Sequence, residues 1–387
     1  MFHVYLFIAF LYVLWRVVVP LPLSSTWRVV VALVLLLVSK HHLITQLTTG
    51  NMFSPEIPFW AVALLGWGFC AFAILLVMSL ALDAALMLRW LLNKILRAKR
   101  PARQSLTTVR YVMTTVALTL SGFGVHQAAQ VPEVKRVELD IPGLPAGLEG
   151  LKVVQLTDLH ISRFFQHDWV TEVVARTNAL EPDLILITGD LIDGTPTARL
   201  HDVAPLKNLR ARYGVIASPG NHEYYFGAER WRAVFESLGM QMLENTHISL
   251  SIVGQQLVIA GITDESAEDV GLAGPDLSVA LHGSPNDAPL ILLDHRPSGA
   301  RQHAEAGVDL QLSGHSHGGM VKGLDLIAAY ANEGHVSGFY PIDDMALYVS
   351  NGTGLWNGFP IRLGVPGEIT ELVLGVNSEG SHVKILK

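Results

Sequence analysis

The segment VDLQLSGHSHGG, residues 308–319, carries two histidines directly after a run of mostly apolar residues. Side chains two residues apart near the end of a strand project to the same side, so His315 and His317 would face one direction. The glycines that follow allow a tight bend or the close approach of a ligand. Two imidazoles placed in this way suit a metal site, although an isolated pair is more often two surface histidines in a polar turn.

Four earlier apolar runs also end in carboxylate, amide or imidazole side chains. Together with the first example, the groups are Asp158 and His160, Asp190 and Asp193, Asn221 to Glu223, Asp294 and His295, and His315 and His317. Ligands in an open α/β sheet gather at the carboxyl ends of its strands. A Gly-Asp pair alone is usually a turn, and Asn221 could simply cap a helix. Five such groups in order indicate one mixed oxygen and nitrogen site.

Residues after about 150 alternate between short apolar runs and helical stretches, which predicts an α/β domain with buried strands. The first strand is predicted at Leu151, and the tail segments MALYVSNGTG and GEITELVL predict further strands without helices between them. The predicted helices are Trp169–Leu180, Arg199–Arg212, Ala228–Leu238 and Ser298–Ala306.

The chain changes its physical character near residue 130. Of its 387 residues, half are hydrophobic and 16% are charged. Residues 1–130 carry 10 Lys and Arg against 2 Asp and Glu, and the rest carries the remaining 17 and 32. We therefore predict a membrane domain over 1–130 and a second domain over 131–387. The acidic second part argues against nucleic-acid binding, which needs a basic surface, and the single Cys70 excludes a disulfide within the chain.

Four apolar segments of the first domain approach the roughly 20 residues that a membrane span needs. They are Phe2–Val19, Trp27–Leu47, Ile57–Leu82 and Val109–Val125, and Lys40, His41 and His42 make the second the weakest. The loop before the last segment is basic and contains no acid, so it should stay cytoplasmic and leave residues 131–387 outside an inner membrane that the chain crosses several times. The basic residues concerned are Arg89, Lys94, Arg97, Lys99, Arg100, Arg103 and Arg110.

The order D-x-H, G-D-x-x-D, G-N-H-E, H and G-H-x-H resembles the calcineurin-like metallophosphoesterase superfamily over Val137 to Leu374. The form GH[ST]HGG resembles its bacterial membrane-associated branch. The resemblance implies a four-layer αββα metallophosphoesterase sandwich, here preceded by an N-terminal all-α transmembrane domain. It also implies two divalent ions, and mixed nitrogen and oxygen ligands suit Mn, Fe or Zn better than Ca or Mg.

The resemblance also assigns the ligands. It implies that Asp158, His160 and His317 hold one ion, that Asn221, His295 and His315 hold the other, and that Asp190 bridges them.

Other residues near the motifs receive weaker assignments. By the same resemblance His222 would protonate the leaving oxygen, with a supporting hydrogen bond as the alternative. Arg362 could pair with a substrate phosphate, although an exposed structural arginine is about as plausible. Asp193 and Asp294 are expected to form turns or support the ligands.

The implied function is hydrolysis of a phosphate ester or pyrophosphate, by attack of a metal-bridging hydroxide, outside the cytoplasm at the membrane. We expect a lipid-linked substrate, because a diffusible one would not require several spans. The alternatives are a general phosphodiesterase on a soluble substrate, a silent sensor or scaffold, and a transporter with a regulatory domain; the oligomeric state stays open. Apolar side chains expected to meet acyl chains are Phe164, Phe165, Tyr224, Tyr225, Phe226, Phe339, Tyr340, Leu355, Trp356 and Phe359.

Overall fold

The structure is a computed structural model that describes residues 1–96, 105–285, 287–377 and 382–386. It divides into two compact units. The helical unit comprises Met1–Gln127 and the short segment Asn357–Ile361, and the α/β unit comprises Ala128–Trp356 and Arg362–Lys387. The predicted boundary at residue 130 lies three residues beyond this division.

Helices make up most of the described part of the helical unit. They are α1 (Phe2–Val13), which continues as a π-helical turn over Leu14–Val18, α2 (Ser25–Thr49), α3 (Phe59–Ile95) and α4 (Thr107–Ala129). Two helices among the described residues, α2 and α3, are long and apolar enough to cross a membrane. The predicted first and fourth segments form α1 and α4, which are not among those two. Val29, Leu33 and Leu37 on successive turns of α2 are exposed, as lipid-facing side chains would be.

The polar residues in α2 do not interrupt the helix, because their side chains have partners within the helical unit. His41 and His42 are buried. His41 Nδ1 lies 2.9 Å from the Val38 carbonyl oxygen, and His42 Nε2 lies 3.0 Å from that of Gly358. The Lys40 ammonium donates to the carbonyl oxygen of His3. Buried polar groups that are hydrogen-bonded cost far less than unpaired ones, so this segment remains a candidate span.

Asp83 and Arg16 form an ion pair in the helical unit. Asp83 of α3 accepts hydrogen bonds from both Arg16 and the Tyr12 hydroxyl, with the Arg16 Nε at 2.8 Å. The Arg110 Nε in turn donates to the Arg16 carbonyl oxygen at 2.8 Å. A neutralised pair of this kind holds helices together, whereas a transport pathway would need ionisable groups that face water. Four basic residues of the predicted cytoplasmic loop, Arg97, Lys99, Arg100 and Arg103, lie outside the described residues.

Two mixed sheets form the centre of the α/β unit. The first has the strand order β13-β1-β12-β2-β3-β4-β5 and the second the order β10-β11-β9-β8-β7-β6. The strands are β1 (Val134–Pro142), β2 (Lys152–Leu156), β3 (Leu184–Thr188), β4 (Val215–Ser218), β5 (Gln241–Met242), β6 (Thr246–Ile252), β7 (Gln255–Gly261), β8 (Leu290–Leu293), β9 (Leu310–Ser313), β10 (Gly338–Ile342), β11 (Met345–Val349), β12 (Ile369–Asn377) and β13 (His382–Leu386). Strands β2, β3 and β4 are parallel to one another, as are β7, β8 and β9.

Helices cover the outer face of each sheet, which confirms the predicted four-layer arrangement. They are α5 (His167–Ala179), α6 (Pro196–Val203), α7 (Asn221–Phe226), α8 (Ala228–Ser237), α9 (Ser266–Asp269), α10 (Leu277–Ala280), α11 (Ala300–Glu305) and α12 (Asp325–Ala331). Successive side chains of a strand point to opposite faces. Leu184 therefore enters the core between the sheets, while Ile185 enters the core beneath α5 and α8.

Two predictions of secondary structure were wrong in extent. The predicted helix Arg199–Arg212 ends at Val203 and continues as a 3₁₀ helix over Ala204–Asn208, because Pro205 has no N–H to donate to the α-helical pattern. The first strand is β1, well before Leu151. Val137, Leu139 and Ile141 of β1 are buried and alternate with polar residues, and four residues separate β1 from α4.

Candidate metal centre

The carboxyl ends of strands from both sheets meet at one place in the α/β unit. Backbone bonds fix this meeting point: the Asp158 and His160 amides donate to the carbonyl oxygens of Gly189 and Asp190, each at 3.0 Å. The sheets are joined there by His315, whose amide donates to Asp158 Oδ2 at 3.1 Å. All seven predicted ligands therefore lie together.

The first cluster consists of Asp158, His160 and His317. The Nε2 atoms of His160 and His317 are 3.2 Å apart. Asp158 Oδ1 lies 3.5 Å from His317 Nε2 and 3.7 Å from His160 Nε2. Ligand atoms that each lie about 2.1 Å from one ion are about 3–3.4 Å apart in tetrahedral or octahedral geometry. The cluster thus matches one coordination sphere, slightly expanded.

The second cluster consists of Asp190, His295 and His315. His295 Nε2 lies 3.2 Å from both Asp190 Oδ2 and His315 Nδ1, and the Asn221 Oδ1 is 3.0 Å from the same His315 nitrogen. Asp190 Oδ2 is also 3.7 Å from His160 Nε2 of the first cluster. One oxygen therefore faces both clusters, as the bridging assignment requires.

The carboxylates and imidazoles of the two clusters fit bound metal cations better than they fit a core held by hydrogen bonds alone. Asp158 Oδ1 is buried and has no hydrogen-bond partner among the described residues. Burial raises the pKa of Asp158, but neighbouring imidazoles, His317 first, outweigh this and hold the pKa below its usual range. A buried, ionised oxygen without a donor is costly unless a cation balances it.

The imidazoles favour the same conclusion. Burial lowers the pKa of His315 to about 4 and that of His317 to about 3, so both rings are neutral at pH 7, the form that binds metal. Burial also lowers the pKa of His295, but the charge of Asp190 outweighs it and raises the value to about 10. A cation would therefore compete with a proton for His295.

The backbone at the ligands is held in an uncommon conformation. Asp158, His160, Asp190, His315 and His317 all have φ between 44° and 65°, the left-handed region that non-glycine residues rarely adopt. Such conformations persist where the surrounding structure imposes them, and they concentrate at functional sites. Glycine permits the close packing here: a Cβ at Gly314 would lie 2.2 Å from Asp158 Oδ2.

His222 stands beside the clusters, and 13% of its side chain is exposed. Its Nδ1 makes a short contact with Asp193 Oδ1, which also lies 3.1 Å from His160 Nδ1. These three residues are close enough to hold an ion themselves. However, one carboxylate oxygen at hydrogen-bonding distance from two Nδ1 atoms is the arrangement that orients two imidazoles. The other ring nitrogen of His222, Nε2, lies 3.8 Å from Asp190 Oδ2.

Glu223 lies in the predicted G-N-H-E motif, but the sequence analysis assigned it no role. Its buried carboxylate accepts hydrogen bonds from the amides of Gly220 at 2.7 Å, Leu191 at 2.8 Å and Asp190 at 2.9 Å. It thereby joins the loops after β3 and β4. The available signal was its position three residues after Gly220, since a glutamate at the third residue of a helix commonly bonds back to the start of that helix.

We expect Glu223→Ala to lower the free energy of unfolding by about 3 kcal/mol, because three buried amides lose their hydrogen-bond acceptor. Thermal unfolding of the purified full-length chain, with and without metal, measures this. Glu229→Ala, at an exposed position one helix further on, is the control. Equal stability of the two variants would contradict the structural role of Glu223.

Residues 151–319 match the family described as calcineurin-like phosphoesterase. A Danio rerio protein named "Transmembrane protein with metallophosphoesterase domain" is 31% identical over 362 residues, covering 90% of this chain and 80% of that protein. The chain belongs to the calcineurin-like phosphoesterase family. The resemblance at the level of the superfamily is thus confirmed; membership of the bacterial branch stays a prediction.

Two other relatives agree with this family. A Bos taurus protein of the same name is 37% identical over 67% of this chain and 61% of its own length. A Campylobacter jejuni protein named as an uncharacterized metallophosphoesterase is 32% identical over 69% of this chain and 70% of its own length. The chain therefore spans less than two thirds of the Bos taurus relative.

Arg362 of this phosphoesterase is buried. Its guanidinium donates to the carbonyl oxygens of Asn351 at 2.7 Å and Gly354 at 2.8 Å, with longer bonds to Gly352, His317 and Val365. These bonds agree better with the structural alternative than with a phosphate ligand, although the arginine is buried and not exposed. Its contact with the His317 carbonyl oxygen makes it a support for the ligand loop.

The apolar side chains expected to meet acyl chains do not form an exposed group. Phe164, Phe165, Tyr224 and Leu355 are buried in the α/β unit. Phe359 belongs to the helical unit, where its ring lies 6.1 Å from that of Phe69. Tyr225 is exposed, and its ring lies 5.3 Å from that of His222. The prediction of a lipid contact made of these ten residues was therefore wrong for those that are buried.

Proposed function

We propose that this phosphoesterase binds two divalent transition-metal ions and hydrolyses a lipid-linked phosphate ester or pyrophosphate at a membrane surface. The observation that carries the proposal is a pair of neighbouring ligand clusters, with Asp190 Oδ2 lying 3.2 Å from His295 Nε2 of one and 3.7 Å from His160 Nε2 of the other. Asp158, His160 and His317 would hold one ion, and Asn221, His295 and His315 the other. Divalent ions so bound supply charge stabilisation for the phosphoryl oxygens and a nucleophile at neutral pH.

The protein's own residues would handle the leaving group. His222 Nε2 is placed to donate a proton to the departing oxygen, because its Nδ1 is held by Asp193. Burial lowers the pKa of His222, but the charges of Asp190 and Asp193 outweigh it and raise the pKa above its usual value. The ring can therefore carry the proton that it donates, and it would regain one from solvent afterwards.

The lipid part of the proposal rests on location. Relatives named as transmembrane proteins cover most of this chain, and α2 and α3 are candidate spans. The α/β unit begins its sheet four residues after α4. This short tether joins the α/β unit to the chain that carries the candidate spans. A general phosphodiesterase with a soluble substrate is the second candidate, favoured by the partial exposure of the His222 side chain.

We expect full-length protein in liposomes to hydrolyse a lipid phosphate faster than the water-soluble head group of the same lipid, with both activities abolished by a chelator and restored by Mn, Fe or Zn. A screen across lipid phosphates, phosphodiesters and nucleotides measures this. Equal rates on the lipid and its soluble analogue would favour the general phosphodiesterase. Failure on every phosphoester with metal present would favour the silent scaffold.

We also propose that the α/β unit lies outside the cytoplasm of a cell with an inner membrane, because Arg89, Lys94 and Arg110 flank the connection between α3 and α4. A reporter that is active only outside the cytoplasm, fused after Lys387, should then be active. Protease added to intact spheroplasts should cut the α/β unit. Protection until the membrane is broken would reverse the assigned orientation.

A further inference from the structure

Helix α12, which follows the segment GHSHGG at 314–319, presents apolar side chains to solvent. Leu326, Ile327 and Tyr330 are 75%, 69% and 94% exposed. The half-buried positions of the same helix are Asp325, Ala328 and Ala329. In a soluble protein a surface helix turns its apolar side inward and its polar side outward. Helix α12 has the opposite arrangement.

This exposure is concentrated in one place. Among the described residues of the α/β unit, the exposed large hydrophobic residues are Leu200, Tyr225, Val253, Val270, Leu272, Val279, Leu324, Leu326, Ile327, Tyr330 and Val376. Four of these eleven fall within Leu324–Tyr330. Single exposed apolar residues are common on soluble proteins and need no explanation, whereas a contiguous group marks an interaction surface.

Residues before and after α12 contact the loop that carries His315 and His317. At the start of the helix, Gly319 packs so closely against Asp325 that a Cβ on Gly319 would lie 2.6 Å from the Asp325 Cα. On the other side, the Ser316 hydroxyl donates to the Val336 carbonyl oxygen at 2.6 Å. The position of α12 is therefore fixed relative to His317, and whatever α12 binds is held beside the metal centre.

We propose that α12 is an interfacial helix that inserts Leu326, Ile327 and Tyr330 into a phospholipid bilayer. Leucine and isoleucine partition into the boundary between head groups and acyl chains, and tyrosine is enriched there. A bilayer is the partner we argue for, because the chain itself carries the candidate spans α2 and α3 and four residues link α4 to the first strand of the α/β unit. The inference rests on the proposed function for its purpose, which is to bring the metal centre to lipid phosphates.

The first test measures insertion without relying on activity. Full-length protein with Tyr330→Cys in a Cys70→Ala background carries an environment-sensitive fluorophore and is reconstituted into phosphatidylethanolamine and phosphatidylglycerol vesicles. The control is Val253→Cys, 73% exposed. Val253 lies in the turn before β7, at the edge of the second sheet opposite the ends that carry His295 and His315.

We expect the label at residue 330 to shift its emission to the blue and to lose most of its intensity when the vesicles contain nitroxide-labelled lipids, while the label at 253 does neither. Emission at 330 that is unchanged by nitroxide lipids would overturn the proposal. A shift that depends on protein concentration and not on nitroxide lipids would assign the surface to a second copy of the chain, and would also overturn it.

The second test links α12 to turnover. The double substitution Leu326→Ser and Ile327→Ser should lower the rate on phosphatidic acid in vesicles, relative to the rate on soluble bis(p-nitrophenyl) phosphate, roughly tenfold. An unchanged ratio would contradict the purpose assigned to α12. If the unsubstituted protein hydrolyses neither substrate, the proposed function is contradicted. The fluorescence experiment would still show whether α12 inserts into the bilayer.

Discussion

Asp190→Asn should lower the rate of phosphoester hydrolysis by about 10³–10⁴, because bound ions contribute several kcal/mol of charge stabilisation that depends on this shared ligand. Asp190 Oδ2 faces His295 of one cluster at 3.2 Å and His160 of the other at 3.7 Å. An amide oxygen carries no charge, so it balances neither ion. Metal content per chain should fall with the rate.

Asp309→Asn is a matched control for that substitution. Asp309 accepts a hydrogen bond from the Leu290 amide at 2.7 Å, at the end of β9 opposite the metal centre. Asparagine keeps an acceptor there, so rate and metal content should stay near those of the unsubstituted protein. Steady-state kinetics and elemental analysis on the same samples measure both. Full activity in a metal-loaded Asp190→Asn protein would remove the basis for a shared ligand.

His222→Ala should lower turnover by about 10²–10⁴, the usual contribution of a positioned acid or base, with metal content nearly unchanged. The reduction should be greatest for esters with poor leaving groups, such as alkyl phosphates, and smallest for p-nitrophenyl esters, whose leaving oxygen needs little protonation. This dependence separates a proton donor from a residue that only supports the fold.

His201 is exposed, and His201→Ala is the control for the histidine substitution. It should leave the rates on both alkyl and p-nitrophenyl esters unchanged. Asp193→Asn should act through His222, because the Asp193 carboxylate holds the Nδ1 atoms of both His160 and His222. If His222→Ala loses metal, or slows all esters equally, the alternative of a supporting hydrogen bond is correct.

The ligand set could be predicted because each ligand follows a buried strand. Runs such as LILI at 184–187 have no polar residue on either face to obscure them, and Asp190 comes three residues after the run ends. Parallel strands bring those ends together without further information. The strand pattern therefore predicted an α/β domain in which the polar groups converge, while the four-layer architecture and the choice of seven ligands came from the family resemblance.

The sequence analysis missed features that depend on which face of a strand or helix is buried. In β1, Val137, Leu139 and Ile141 alternate with charged residues, and the charges concealed a strand whose other face is core. In α12, the run DLIAAYA has the composition of a buried helix, yet its large side chains face outward. Glu223 was missed because its partners are backbone amides of Asp190 and Leu191, which no side-chain pattern reveals.

The most direct test of the two-ion site is the stoichiometry of activation. Metal-free full-length protein should be titrated with Mn while metal bound per chain and hydrolysis of bis(p-nitrophenyl) phosphate are followed together. Two clusters that share one aspartate predict that activity rises with the second ion and reaches its maximum at two ions per chain. Full activity at one ion per chain, or without any ion, would contradict the account.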